Sequence, residues 1–351
     1  MAQINKPGLH FNTLLYTGTG SGGSNRQLTG VGFQPDWTWI KNRNSGQEHV
    51  LVDAVRGATK SLDSSANSAE STTSTQVGAF ISDGFQLGSG SVQNRVNGNG
   101  NGLVAWNWKA NGGTTSSNSD GSITSNVTVN STAGFSIVKF TGTGSNATVG
   151  HGLGVAPACV IIKCTNDAQN WRVYHKGMDA TAPEDYALIL NNTTTRDNDN
   201  TAFNDTAPTS TTFSIGTSAT INQNGNIMIA YCFAEKKGFS KFGSYVGNGN
   251  ANGPFIYTGF RPAFVIQRDV GNSRDWTMID NKRAPFNVMD ERLVPNETAA
   301  EVTNNDTDFV SNGFKCRRDQ TNTNGSGGSY IYMAWAANPL VGTNNIPGVA
   351  L

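Results

Sequence analysis

Charge is what this sequence has least of. Asp, Glu, Lys and Arg supply 14% of its residues, and the two signs balance at 25 each, so the formal net charge is zero. Without a basic excess the chain lacks the electrostatic footprint of a nucleic-acid binder. It also has no basic run with which to grip an anionic membrane. Apolar residues are sparse at 36%. No stretch approaches the run of about 20 that a spanning helix needs, so no membrane insertion is expected. The opening MAQINKPGLHFN has no apolar core of a secretory signal, and folding in a reducing cytoplasm is expected. Cysteine is limited to Cys159, Cys164, Cys232 and Cys316, with no C-x-x-C pair and no His at zinc-finger spacing. These four read as free thiols packed in strands, and no metal or cofactor is expected.

Sustained helical periodicity is missing too, apart from a single turn expected near Asp179 to Tyr186. What is plentiful is Gly, at 41 residues, together with Asn, Ser and Thr. These residues supply left-handed backbone and local side-chain hydrogen bonds at turns. Many short strands joined by many turns follow, which makes the expected fold class all-β.

The chain also repeats itself, which decides its organisation. Tyr16-Thr17-Gly18-Thr19-Gly20 returns as Phe140-Thr141-Gly142-Thr143-Gly144 and, more loosely, as Tyr245-Val246-Gly247-Asn248-Gly249. Each block is followed by a proline, at Pro35, Pro157 and Pro262, and then by an apolar strand ending on a cation, at Lys41, Lys163 and Arg268. Second strands follow at His49–Asp53, Trp171–His175 and Trp276–Asp280, and hairpin signals at Asp83-Gly84 and Asn312-Gly313. Each copy closes on an aromatic strand, aligned at Ala105, Ala230 and Ala334. The expected architecture is three tandem β-sandwich or jelly-roll-like domains, with a lectin-like variant among the options, at 9–110, 133–237 and 238–338. Residues 111–132, rich in Gly, Ser, Thr and Asn, read as a linker that leaves the first copy more mobile. Residues 339–351 read as a tail, and both tails as candidate docking arms.

Candidate site residues are few. Trp37 and Trp39, or Trp106 and Trp108, could be stacking platforms, but matching positions elsewhere are merely apolar, so a core role with one buried face is expected. The GTGS blocks lack a following lysine and read as turns, not phosphate cradles. Asp197, Asp199 and Asp205 could cage Ca²⁺ with alternate carboxylates, but the loop lacks the glycine and distal glutamate of an EF-hand and reads as solvated. Asp63, Glu70 and Asp83 carry no pattern, and His10, His49, His151 and His175 do not cluster. No catalytic residue is assigned, and an enzyme is not expected. The Asn-rich loops Asn94–Asn101 and Asn191–Asn204 have the amides to bond sugar hydroxyls.

Several blocks carry a resemblance: Gly150-His151-Gly152-Leu153-Gly154, Ile229-Ala230-Tyr231-Cys232-Phe233-Ala234-Glu235 into Gly238-Phe239-Ser240-Lys241, Tyr257-Thr258-Gly259-Phe260-Arg261-Pro262, Phe309-Val310-Ser311-Asn312-Gly313-Phe314-Lys315, and Asn338-Pro339-Leu340-Val341-Gly342. With them the chain resembles, over almost its whole length, virion proteins of tailed phages common in aquatic phages. The first copy departs most, over Ser64–Gln76. The resemblance implies a virion component, assembled in the host cytoplasm, of the tail-fibre or receptor-binding kind, with host-surface glycan and other virion proteins as partners. The alternative is an architectural decoration or connecting protein of head or tail. A homo-oligomer is expected, with a trimer favoured for a fibre.

Overall fold

A computed structural model describes residues 3–20, 26–88, 94–342, 347 and 349. The protein is predominantly strand, arranged in several antiparallel sheets. Helix is confined, among the described residues, to single turns such as Ala219–Asn222 and the 3-10 turn Pro183–Asp185, the latter inside the span where a turn was expected.

In the first segment a six-stranded sheet runs in the order Phe11–Thr17, Gly102–Trp108, Trp37–Asn42, Val50–Asp53, Lys60–Leu62, Ser71–Thr72. A three-stranded sheet, Gln27–Thr29, Gly84–Leu87 and Val77–Ile81, covers one of its faces. The four leading strands recur in the same order in the second segment, as Phe135–Thr141, Ile227–Phe233, Cys159–Cys164 and Arg172–His175. They recur again in the third, as Ser240–Val246, Ser329–Pro339, Phe260–Asp269 and Thr277–Asp280. Smaller sheets built on Ala147–Gly150 with Thr212–Ile215, and on Phe255–Tyr257 with Gly313–Cys316, cover those faces.

Register refines the alignment. Trp37 pairs with Trp108, Cys159 with Phe233 and Phe264 with Trp335. Ala105 and Ala230 are therefore level with Tyr332, which pairs with Gln267, and not with Ala334. The sequence alignment slipped by two because side chains alternate with a period of two, and such a slip leaves the inward pattern intact.

Two expectations change. The supposed linker carries strands Ser116–Asn118 and Ser125–Asn130, which extend the second segment's large sheet to eight strands. Alternating Ser125, Val127 and Val129 supplied the strand signal beneath a loop-like composition, and Val127 is buried in the second segment's core. The stretch is also anchored at its start, where the buried Asp36 carboxylate accepts N–H bonds from Ala110 (2.6 Å), Gly112 (3.1 Å) and Gly113 (2.5 Å). Second, the Trp37–Asn42 strand is buried at every position, not on one face. Its second face meets a core shared by all three segments, containing Trp37, Trp106 and Trp108 with Tyr231, Phe233, Phe264 and Trp335. The amino-terminal arm folds back onto its own chain: Ile4 enters that core, and its N–H donates to Lys237 O at 3.0 Å. Most of the expected tail 339–351 lies outside the described residues beyond Gly342.

Candidate functional site

Each segment offers its neighbours the same kinds of group, and each set of contacts closes after three steps. The backbone set joins Glu70 N–H to Thr165 O (2.7 Å), Arg196 N–H to Val270 O (2.9 Å) and Glu301 N–H to Arg43 O (2.8 Å). The acceptors are the residues immediately after the Cys159–Cys164, Phe260–Asp269 and Trp37–Asn42 strands. A ring-nitrogen set joins Trp171 Nε1 to Asp63 O (2.8 Å), Trp276 Nε1 to Ile189 O (3.0 Å) and His49 Nε2 to Val294 O (3.0 Å). The strand-end cations form a third set: Lys41 Nζ to Thr298 O (2.9 Å), Lys163 Nζ to Asn67 O (3.3 Å) and Arg268 Nη2 to Thr194 O (2.7 Å). Burial pushes both lysine ammoniums down to about 8. In the fourth set Tyr231 stacks on Trp37 at 4.3 Å, Trp106 on Phe264 at 5.1 Å, and Met333 sulfur meets Cys159 sulfur at 3.8 Å. Contacts between unlike surfaces that close after three steps build a ring. The first segment makes these contacts on both of its sides.

The three joints differ chemically. Buried Asp53 and Arg56, with Glu70, receive Tyr231, and buried Asp280 and Arg283, with Glu301, receive Trp106. In the second segment His175 and Met178 stand in the places of those Asp and Arg residues, so its joint with Met333 carries no ion pair there. His175 accepts Gly177 N–H on Nδ1 (3.0 Å), so Nε2 carries the proton and donates to Tyr332 O at 3.1 Å. Burial holds its pKa at about 4, below the ordinary 6.5. An imidazole held neutral in the fold takes its proton earlier when unfolded. Stability is therefore full above about 6.5 and is lost as pH falls towards about 4, by about 3 kcal/mol in all. Urea unfolding at pH 7 and pH 4.5 should show a steeper loss for the native chain than for His175→Gln. Equal slopes would show that the imidazole does not titrate this joint.

The Gly-x-Gly blocks are latches. Thr19, Thr143 and Asn248 donate their N–H to Asn97, Asn222 and Asn324 Oδ1 at 3.0, 2.8 and 2.9 Å. Gly20, Gly144 and Gly249 donate to the carbonyls of the same three asparagines. A Cβ at Gly142 would lie 2.3 Å from Gln223 O, so only glycine fits there. Asn97 lies in the Asn94–Asn101 loop that the sequence singled out, but Asn222 and Asn324 escaped the sequence reading, although each precedes a small polar turn just before the last strand of its segment. Asn222 is fully buried and also donates to Ser145 O (2.7 Å) and Gly216 O (2.6 Å). Asn222→Ala strands all three partners and should cost about 1–3 kcal/mol in urea unfolding. A change within a few tenths would show that water replaces the latch.

Other candidates acquire structural roles. Asp199 caps the Asn200–Phe203 turn through Thr201 N–H (3.0 Å) and pairs with Arg172 at 2.9 Å, while Asp197 lies 3.9 Å from the same arginine. Among the described residues no three His, Cys, Asp or Glu side chains gather as a metal would need. The four cysteines are buried and free, and all seven tryptophans are among the largest fully buried side chains or nearly so. His10, His49, His151 and His175 stay apart, each in its own hydrogen bonds. The structure also brings together Glu291 and Glu301, carboxylates the sequence did not pair, and Arg43 bridges them at 2.7 and 2.6 Å.

A family model described as a domain of unknown function, DUF7483, matches residues 6–339. The chain belongs to the DUF7483 family. The DUF7483 match spans all three segments. No curated protein matches the chain, and no solved structure does.

Proposed function

We propose that this DUF7483 chain is a tailed-phage virion protein that attaches the particle to host-surface glycans, built as three β-sandwich copies closed into a ring. The observation that carries this reading is the set of three latched loop clusters. In every large sheet the Gly-x-Gly turn and the turn before the last strand meet at one end, because the first and last strands pair from Phe11 with Trp108 through Thr17 with Gly102, and likewise in the other segments. Each of these Asn-, Gly-, Ser- and Thr-rich turns is fixed by a buried asparagine. Rigid loops rich in amides and hydroxyls lose little entropy on meeting sugar hydroxyls, and three sets raise avidity when they engage together. The same loops could instead dock onto another virion protein, which is the decoration reading.

The ring also bears on assembly. A homotrimer was expected, but one chain already brings three copies around a shared core. The full chain should therefore sediment at its own 37.2 kDa; three times that mass would restore the trimer. To test attachment, labelled full-length protein is added to susceptible host cells with phage. Saturable binding and slower phage adsorption are expected. Protein that ignores the cells, with immunolabelling on a non-adsorbing part of the particle, would replace attachment by decoration.

A further inference from the structure

The ring is nearly threefold in its contacts, so a surface feature found at only one of the three equivalent places is not required by the fold. Among the described residues one such feature stands at the join of the second and third segments. A cleft of about 670 Å³ opens there, lined among others by Glu235, Lys236, Lys237, Lys241 and Tyr257. Tyr257 is 58% exposed on the Phe255–Tyr257 strand. It pairs with Gly313, as Thr29 pairs with Gly84 and Gly150 with Thr212 in the other small sheets, so the corresponding positions hold a hydroxyl or no side chain at all. Counting on from the level pair Trp108 and Phe233, the first join carries Asn111 and Gly112 where this one carries Lys236 and Lys237.

The charge of the cleft departs from that of the chain. Three lysines and one carboxylate line it, in a protein whose formal net charge is zero. That carboxylate is already committed: Glu235 pairs with Lys176 at 2.8 Å and Lys241 at 3.3 Å and accepts Phe242 N–H at 2.9 Å. An exposed phenol ring beside excess ammonium charge matches a ligand with one apolar face and an anionic edge. A sugar ring bearing a carboxylate or sulfate has both: its C–H face can lie on Tyr257 while its anion meets the lysines.

We propose that this cleft binds an acidic saccharide segment, through Tyr257 and the Lys236–Lys237 pair. The proposal rests on the glycan-attachment reading and names its ligand class. The test titrates the full chain with a polyuronate oligomer, a sulfated oligosaccharide and a neutral glucan oligomer. One or both acidic oligomers should bind, the neutral one should not, and binding should weaken as salt rises from low to physiological levels. Tyr257→Ala should weaken acidic binding by about tenfold, the scale of one lost stacking contact. Lys237→Glu should weaken it at least as much, with thermal melting unchanged in both variants. Acidic oligomers that fail to bind, or that bind native chain and variants alike, overturn the proposal. Host-cell binding separates the two readings. Variants that bind cells as well as the native chain does leave attachment standing and remove the cleft from it, whereas a native chain that binds no cells removes attachment while the oligomer titration still decides the cleft.

Discussion

Arg283→Met should cost about 3–5 kcal/mol of unfolding free energy, and Arg56→Met a similar amount, because each leaves a buried carboxylate without its cation. Arg283 and Asp280 side chains are fully buried, and Arg283 Nε donates to Asp280 Oδ2 at 2.5 Å. The guanidinium also donates to Met278 O at 3.0 Å and Glu301 at 2.8 Å, and lies over the Trp106 ring. Trp106 Nε1 donates to the same Asp280 oxygen at 3.0 Å, so the pair sits inside the joint between first and third segments. The Asp53, Arg56, Glu70 and Tyr231 set repeats this arrangement between first and second. The pair as a whole is not where the stability comes from, since desolvating two charges offsets most of their attraction. Arg283→Met combined with Asp280→Asn should therefore recover part of the loss. Lys60→Met is the control: Lys60 also pairs with Glu70 but is 42% exposed, so less than about 1 kcal/mol is expected. Denaturant titration of the four variants checks the set. An Arg283→Met chain within about 1 kcal/mol of native would mean that water reaches Asp280 and the joint is loosely packed.

Much of the local structure was legible because it is written in short-range chemistry. Pro-led apolar runs became the Trp37–Asn42, Cys159–Cys164 and Phe260–Asp269 strands, hairpins turned at Asp83-Gly84 and Asn312-Gly313, and the cysteines became buried strand residues. What was not legible is what covers each strand. Alternation says which residues share a face, not what lies against it, and the partners here are far apart in sequence: Trp106 with Asp280, Tyr231 with Asp53, Lys41 with Thr298. The cation ending each Pro-led strand was visible, but the carbonyl it reaches belongs to another segment. A burial pattern with both faces apolar reads the same whether a second sheet or a neighbouring segment supplies the cover. The linker reading failed for the opposite reason. Composition averaged over 111–132 hid a short β-branched alternation that the sheet edge selects.

Trp171→Ala and Trp276→Ala should each cost about 3–5 kcal/mol, because each indole fills the shared core and closes one joint of the ring. Both are completely buried. Their backbone N–H groups are held by Asn191 and Asn296 at 2.9 and 3.0 Å, which fixes where the indoles project. Their Nε1 groups donate to Asp63 O and Ile189 O, carbonyls that the alanine variants would leave without this donor. Trp276→Phe separates the two contributions, since it keeps most of the ring volume and loses the donor; about 1–3 kcal/mol is expected of it. The double variant Trp171→Ala with Trp276→Ala should fall short of the sum of the singles, as residues sharing one core do not act independently. Urea unfolding followed by circular dichroism measures all four. If both alanine variants unfold at the native midpoint, the indoles are not covered by neighbouring segments. The closed ring would then give way to three separately folding units joined by flexible connections.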